Sequence, residues 1–236
     1  DPRLAWLVAL LQNAPAQKFL LICADAKTAI EIHKKLGELT NTRTTIFHEG
    51  MALVERDRAA NYFAETVRGA QLLISSEIGS EGRNFQFASH LILFDLPSNP
   101  DLLEQRIGRL DRIGQQHDVT IHTPYFTNHR SHRLLRFYRD GLAAFTAPNP
   151  AGQSLFEDFG TNLMTDDLET IIVEVRQANK ERQRILNKGR DRLLELNSHK
   201  PDVSHSIFVD VNNHQGGLEL EDYMESSFDM FGLESE

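Results

Sequence analysis

Over roughly its first 145 residues the sequence alternates short apolar runs with amphipathic stretches, and that alternation leaves few folds open. Residues 18–24, 44–47, 72–75, 91–94 and 119–122 read as strands, and residues 4–11, 26–39, 53–63 and 101–112 as helices. The run Phe19-Leu20-Leu21-Ile22-Cys23 is apolar at every position, as expected of a strand covered on both faces. In residues 26–39 the side predicted to face inward carries Ala29, Ile30, His33, Leu36 and Gly37. Repeated strand-then-helix order predicts an α/β fold, a parallel sheet flanked by helices. In such sheets the chemistry gathers in the loops beyond the C-terminal strand ends.

After Pro148-Asn149-Pro150 the pattern changes, which divides the chain into residues 1–150 and an extension, 151–236. Residues 166–197 read as one long helix with Leu168, Ile171, Ile172, Val175, Ile185, Leu186, Leu193 and Leu194 as its apolar stripe and Gly189 as a weak point. Residues 176–192 hold seven Lys or Arg against two acids; a solvated face accounts for such a run, and a brace against a neighbouring domain or nucleic acid is the alternative. Beyond it come a strand-like stretch at 207–209, a turn at Gly216-Gly217 and an acidic, helix-spaced segment at 218–231. The extension is therefore expected to be mainly helical, α+β in type.

The formal charge of −9 misleads until it is located. Nine of the 34 acids, and none of the 25 Lys and Arg, lie after Lys200, so the first 200 residues are electroneutral. An acidic sum does not exclude a nucleic-acid partner, which needs only a local basic face. No apolar run approaches the roughly eighteen residues of a membrane span. One cysteine, Cys23, excludes an internal disulfide, fits a reducing compartment and reads as a small core residue. Asp1-Pro2-Arg3 offers neither an initiator Met nor a leader, so a piece of a longer chain is expected. His129 and His132 have helical spacing, but the arginines at 130, 133, 136 and 139 would repel a cation, and no metal site is expected.

The chemistry concentrates in Gln105-Arg106-Ile107-Gly108-Arg109-Leu110-Asp111-Arg112-Ile113-Gly114-Gln115. On a helix capped by Ser98 or Asn99, Gln105, Arg109 and Arg112 share one face, while Leu103, Ile107 and Leu110 can anchor another. Two guanidinium groups held by an apolar anchor suit phosphoryl transfer: planar cations stabilise charge on the γ-phosphoryl, and a glutamine helps place the attacking water. Gln105, Arg109 and Arg112 are thus the catalytic candidates. Two arginines on a helix are ordinarily surface decoration, and the adjoining Gly-Gln and glutamine tell against that. A second block, residues 72–85, runs from a strand into a loop with Gly79 and Gly82, where backbone N–H groups can approach phosphate. Ser75 and Ser76, at the strand end, are candidates for holding a nucleic-acid phosphate.

Together the two blocks resemble motifs V and VI of the second RecA-like lobe of SWI/SNF-type helicase-related ATPases, motif VI having the pattern Q-x-x-x-R-x-x-R-x-G-Q. Residues 19–30 are similar to motif IV, and His48-Glu49-Gly50 with Arg56, Arg58 and Phe63 to the segment that follows it. The resemblance covers roughly residues 1–145 and implies nucleotide contacts from Gly79, Glu81, Gly82 and Asn84. Residues 76–87 and 189–198 narrow the likeness to a bacterial branch associated with RNA polymerase. It implies a cytoplasmic, nucleoid-associated ATPase that uses ATP with Mg²⁺ and translocates on double-stranded DNA or a DNA/RNA hybrid. It implies too that the protein supports polymerase recycling and works with an N-terminal RecA-like lobe of the same protein.

The sequence contains no Gly-Lys pair, hence no P-loop, and no Asp-Glu pair of the motif II kind. The arginines must then serve a nucleotide held elsewhere. Rival readings are a non-catalytic docking module, which would need none of Gln105, Arg109 and Arg112, and an RNA helicase lobe, which Arg112-Ile113-Gly114-Gln115 suits less well. The isolated chain is expected to turn over no ATP: steady-state assays with and without DNA should give background rates. A robust rate that disappears on Arg109→Ala would overturn the half-motor reading.

Overall fold

The computed structural model describes residues 1–77, 85–112, 114–115 and 117–197, with side chains to residue 189. Five strands, β1 (Phe19–Cys23), β2 (Thr44–Phe47), β3 (Leu72–Ser76), β4 (His90–Leu93) and β5 (Thr120–His122), form one sheet in the order β2-β3-β1-β4-β5. Every pairing is parallel, and the register of the centre runs Leu21↔Ile74 on one side of β1 and Leu21↔Ile92 on the other. The expected parallel sheet with flanking helices is what forms.

Alternate side chains of the strands feed two separate cores, one on each face of the sheet. On one face Phe19, Leu21, Cys23, Ile74 and Ile92 pack under α1 (Pro2–Asn13) and α2 (Ala26–Leu39), which contribute Leu4, Leu7, Leu11, Ala29, Ile32 and Leu36. On the other, Leu20, Ile22, Leu73, Leu91 and Leu93 pack under α3 (Leu53–Ala64) and α4 (Pro100–Ile107) through Ala59, Phe63 and Leu103. Ile30 and Gly37, expected on the inward side of α2, are exposed. Ile32 takes the buried place instead, because Ala29, Ile32 and Leu36 lie at i, i+3 and i+7.

The second core does not stop at the sheet domain. After β5 come α5 (Arg130–Arg136) and a five-residue π-helical turn, Phe137–Gly141, that directs both Phe137 and Tyr138 inward. Tyr138 donates its hydroxyl hydrogen to the Pro97 carbonyl at 2.7 Å. Two helices of the extension, α6 (Gly152–Thr165) and α7 (Leu168–Asn197), then add Leu155, Leu163, Ile171, Ile172 and Val175 to that core. The expected long helix therefore exists, preceded by a helix the sequence reading did not predict, and the N-terminal part of its stripe packs against the sheet domain. At Gly141 the approach is tight: a β-carbon there would meet Val175 Cγ1 at 2.8 Å.

One compact unit spans Asp1–Arg184, and the rest of α7 falls in a second, Ile185–Glu236. In that second part Ile185 and Leu186 are exposed. The expectations for Leu193, Leu194 and residues 207–209, 216–217 and 218–231 lie outside the described residues. Among the described residues no helix is long and apolar enough to cross a membrane.

A buried amide pair fastens α7 to the body. Asn149 donates to Asn179 Oδ1 at 3.0 Å, and Asn179 donates to the carbonyls of Gly141 and Leu142 at 3.3 and 3.2 Å. Replacing Asn179 by Ala removes the side-chain donor of the Gly141 carbonyl, while Asn149 still donates to Leu142, and should cost about 1–3 kcal/mol. Urea or thermal unfolding should register it as a lowered midpoint, and an unchanged midpoint would mean the pair contributes nothing. Cys23 is wholly buried, and burial, assisted by the charges of Asp95 and Asp25, pushes its thiol up to about 12. The native protein should therefore resist alkylation at pH 8 and react only after unfolding; rapid modification of the folded protein would contradict that burial.

Candidate functional site

The sixth-motif-like block begins in α4, which Asn99 caps by accepting from the Asp101 amide at 2.8 Å, with Pro100 in the first turn. Leu103 and Leu110 are fully buried and Ile107 packs beside them, so the expected apolar anchor is present. The helix, however, ends at Ile107 rather than at residue 112. Gly108 is a poor helix former, and from there the chain tightens into short turns: the amides of Arg109 and Leu110 donate to the carbonyls of Arg106 and Ile107 at 3.2 and 3.1 Å.

Gln105, Arg109 and Arg112 consequently do not share a helical face. Gln105 and Arg112 are exposed, whereas Arg109 is buried to 8% exposure. Arg112 donates from Nε to the Gly108 carbonyl at 2.9 Å, which holds its side chain back along the turn. Gly114 follows in the left-handed region at φ 99°, a conformation glycine adopts without strain. Gln115 then closes the turn by donating to the carbonyls of Leu110 and Ala88 at 3.1 and 3.2 Å. Arg112 and Gln115, with Asp111, His117 and Asp118, line a cleft of about 410 Å³.

Arg106, which the sequence reading passed over, is the best-held group of the block. At 2% exposure its Nε and Nη2 donate to the Glu77 carboxylate at 2.9 and 2.5 Å. Its Nη1 donates to the Asp95 carboxylate at 3.1 Å and to the Asp95 carbonyl at 2.7 Å. Asp95 uses its other carboxylate oxygen to accept from the Ala24 amide at 3.0 Å. The chain just beyond β1, β3 and β4 thus converges on one guanidinium. Burial by itself lowers the Arg106 pKa, but hydrogen bonds and charge from Glu77 and Asp95 more than offset this and hold it above the ordinary arginine value. A sequence signal was available: Leu103, Arg106 and Leu110 lie at i, i+3 and i+7, which puts the arginine on the buried stripe.

Ser75 and Ser76 are buried at the end of β3. Ser75 donates to the Ser76 carbonyl at 2.9 Å, and Ser76 to the Glu49 carboxylate at 2.5 Å. That hydrogen bond holds the Glu49 carboxyl below the usual carboxylate range. Gly79, Glu81, Gly82 and Asn84 lie outside the described residues. Immediately after them, the Phe85 amide donates to the Arg109 carbonyl at 3.3 Å.

A cavity of about 730 Å³ opens beside the convergence point, lined by Glu77, Asp95 and Arg106 together with Arg3, Phe126 and Arg130. Arg130 donates to Ser98 at 2.6 Å. His129 caps α5 by accepting from the Ser131 amide at 3.4 Å, and His132 stacks on Tyr125 with ring centroids 5.3 Å apart. Among the described residues no three metal-ligating side chains come together.

Comparison with known proteins agrees with this architecture. Residues 2–114 match the helicase conserved C-terminal domain, and residues 118–236 match the RNA polymerase recycling family C-terminal region. Over its whole length the chain is 47% identical to the RNA polymerase-associated protein RapA of Stutzerimonas stutzeri (strain A1501), covering 26% of that protein. It is 46% identical to the protein of the same name from Histophilus somni (strain 129Pt), covering 25% of it. The chain thus spans about a quarter of the length of these curated relatives. Among solved structures, the C-terminal part of the Fun30 ATPase domain superposes with a TM-score of 0.50 at 16% identity, over 68% of this chain and 53% of that one. An S. cerevisiae Dbp5 variant bound to RNA and ADP BeF3 also superposes at 0.50, with 22% identity over 69% of this chain and 42% of that one. These two likenesses establish the fold alone. By its match over the whole of residues 118–236, the chain belongs to the RNA polymerase recycling family and carries that family's C-terminal region behind a helicase conserved C-terminal domain.

Proposed function

We propose that this chain is the second half of an ATP-driven nucleic-acid translocase motor in a protein that associates with RNA polymerase and supports its recycling. The observation that carries the reading is the seating of the 105–115 block. An apolar anchor and the Phe85–Arg109 hydrogen bond fix the turn, while Gln105 and Arg112 stay exposed and Arg112 faces a cleft. A docking surface has no need of that combination.

The described residues fit the phosphoryl end of a nucleotide and no more of it. They offer guanidinium groups on a fixed turn, and the sequence has no P-loop to cradle a triphosphate. ATP with Mg²⁺ would supply the transferable γ-phosphoryl, held mainly by an N-terminal RecA-like lobe of the same protein. Arg112, exposed on the turn, and Arg109, buried beside it, would supply planar cations for charge on that group, and Gln105 would help to place water. Gly79, Glu81, Gly82 and Asn84 are proposed to complete the nucleotide contacts. Ser75 and Ser76, being buried, enter the nucleic-acid track as supports of the strand end rather than as direct phosphate ligands. The track itself is double-stranded DNA or a DNA/RNA hybrid. The names of the relatives above support association with RNA polymerase; a bacterial cytoplasmic and nucleoid setting and a partner-docking role for residues 151–236 belong to the same proposal.

In the full-length protein, Arg109→Ala and Arg112→Ala should each lower kcat by on the order of 10³, as loss of an arginine finger does. KM for ATP should change far less. Melting temperature is measured alongside, because Arg109 is buried. Near wild-type kcat in both variants would reduce these arginines to surface and packing roles.

A further inference from the structure

We propose that Arg106 is a positioning residue for Arg109, an inference that rests on the motor reading above. Its side chain and its backbone point to two different partners. The guanidinium locks onto Glu77 and Asp95, at the ends of β3 and β4, and through Asp95 onto Ala24 beyond β1. The carbonyl of the same residue accepts from the Arg109 amide at 3.2 Å. Any rotation of the turn that carries Arg109 must therefore break the fork or bend the backbone next to it.

A second tie reinforces the first. Glu77 and Phe85 flank segment 78–84, and both are held by this block: Glu77 by the Arg106 side chain, Phe85 by the Arg109 carbonyl. The two sequence blocks are therefore joined at two points three residues apart on one of them, so they hold a single relative orientation.

Stability alone is a weak reason to keep such a group. Burying an ion cluster carries a desolvation cost, and apolar side chains of similar volume often replace one without loss. What the cluster adds is direction. A planar fork reads two carboxylates in one plane, whereas an ammonium is a point charge that rotates freely about its donors. This makes Arg106→Lys the informative substitution, since it keeps the charge and most of the volume but loses the fork. Arg106 lies beneath the turn and is not assigned any contact with nucleotide.

The test uses the full-length protein, with nucleic-acid-stimulated ATPase assayed well below the melting temperature. Arg106→Lys and Glu77→Gln should each lower kcat by on the order of 10²-fold, the cost of misplacing a catalytic group by about an ångström. KM for ATP should stay within about twofold, because the other lobe makes most of the phosphate contacts. In an Arg109→Ala background, Arg106→Lys should cost little more, because it acts through the arginine already removed.

Three results would overturn the proposal. The first is that both variants fold and keep their kcat. The second is that Arg106→Lys lowers kcat by the same factor with and without Arg109, which makes the two independent. The third is that neither variant folds, which makes the cluster a plain structural strut. An Arg109→Ala protein with normal kcat would instead remove the motor reading itself, and so separates the two failures.

Discussion

The sheet depends on β1 being buried on both faces and paired on both edges. Phe19, Leu21 and Cys23 face one core, Leu20 and Ile22 the other, and β3 and β4 flank it in parallel. A strand so placed favours apolar side chains, and all five of its residues are apolar. It also fixes where polar groups can gather. They collect just beyond the C-terminal strand ends, where Ala24, Glu77 and Asp95 come together and a charged side chain can find partners. Arg106 fills that position from α4, and the location of the candidate site follows from the burial of the central strand.

The same logic explains how the extension is held. An isolated helix rich in Lys and Arg is marginal in water, and most helical stability comes from packing an apolar face. The first turns of α7 supply that face with Ile171, Ile172 and Val175, and Gly141 leaves room for it to approach. Around the contact, Asn149 and Asn179 satisfy the backbone carbonyls of Gly141 and Leu142, which would otherwise be buried without donors. Residues 152–184 are thus built into the compact unit, whatever partner the extension serves.

Much of this was legible in the sequence where one periodicity governed a segment. The strands could be read because each is a short apolar or β-branched segment between helical stretches, and the inward face of α2 was displaced by only a few residues. Legibility failed where a single residue outweighed the pattern. Helical spacing continues through Arg112, but Gly108 and the short hydrogen bonds after it end α4 at Ile107, so the shared face drawn for Gln105, Arg109 and Arg112 does not form. Arg106 was overlooked for the opposite reason: an arginine reads as surface, although its spacing from Leu103 and Leu110 placed it inside. Its partners, Glu77 and Asp95, are brought to it by strand pairing, which no local pattern encodes. Ser75 and Ser76 were placed correctly at a strand end, yet nothing in their identity announced that β3 is buried to its last residue.

The basic run of α7 shows why counting charges is not the same as locating them. In the compact unit these side chains meet acceptors of the protein's own. Arg176 donates to the Asp140 carbonyl at 3.0 Å, Arg182 pairs with Asp158 and donates to Ser154, and Arg184 pairs with Glu181 at 2.8 Å. Exposed pairs of this kind contribute only about 0–1 kcal/mol each to stability, yet each places a negative charge where a phosphate would have to bind. Phosphate affinity grows with the number of backbone charges neutralised, so a helix whose arginines already face carboxylates is a poor track. In this unit α7 is better suited to bracing its neighbours: α6 through Arg182–Asp158, α5 through Arg136–Glu169, and the π-helical turn through Arg176 and the Asp140 carbonyl.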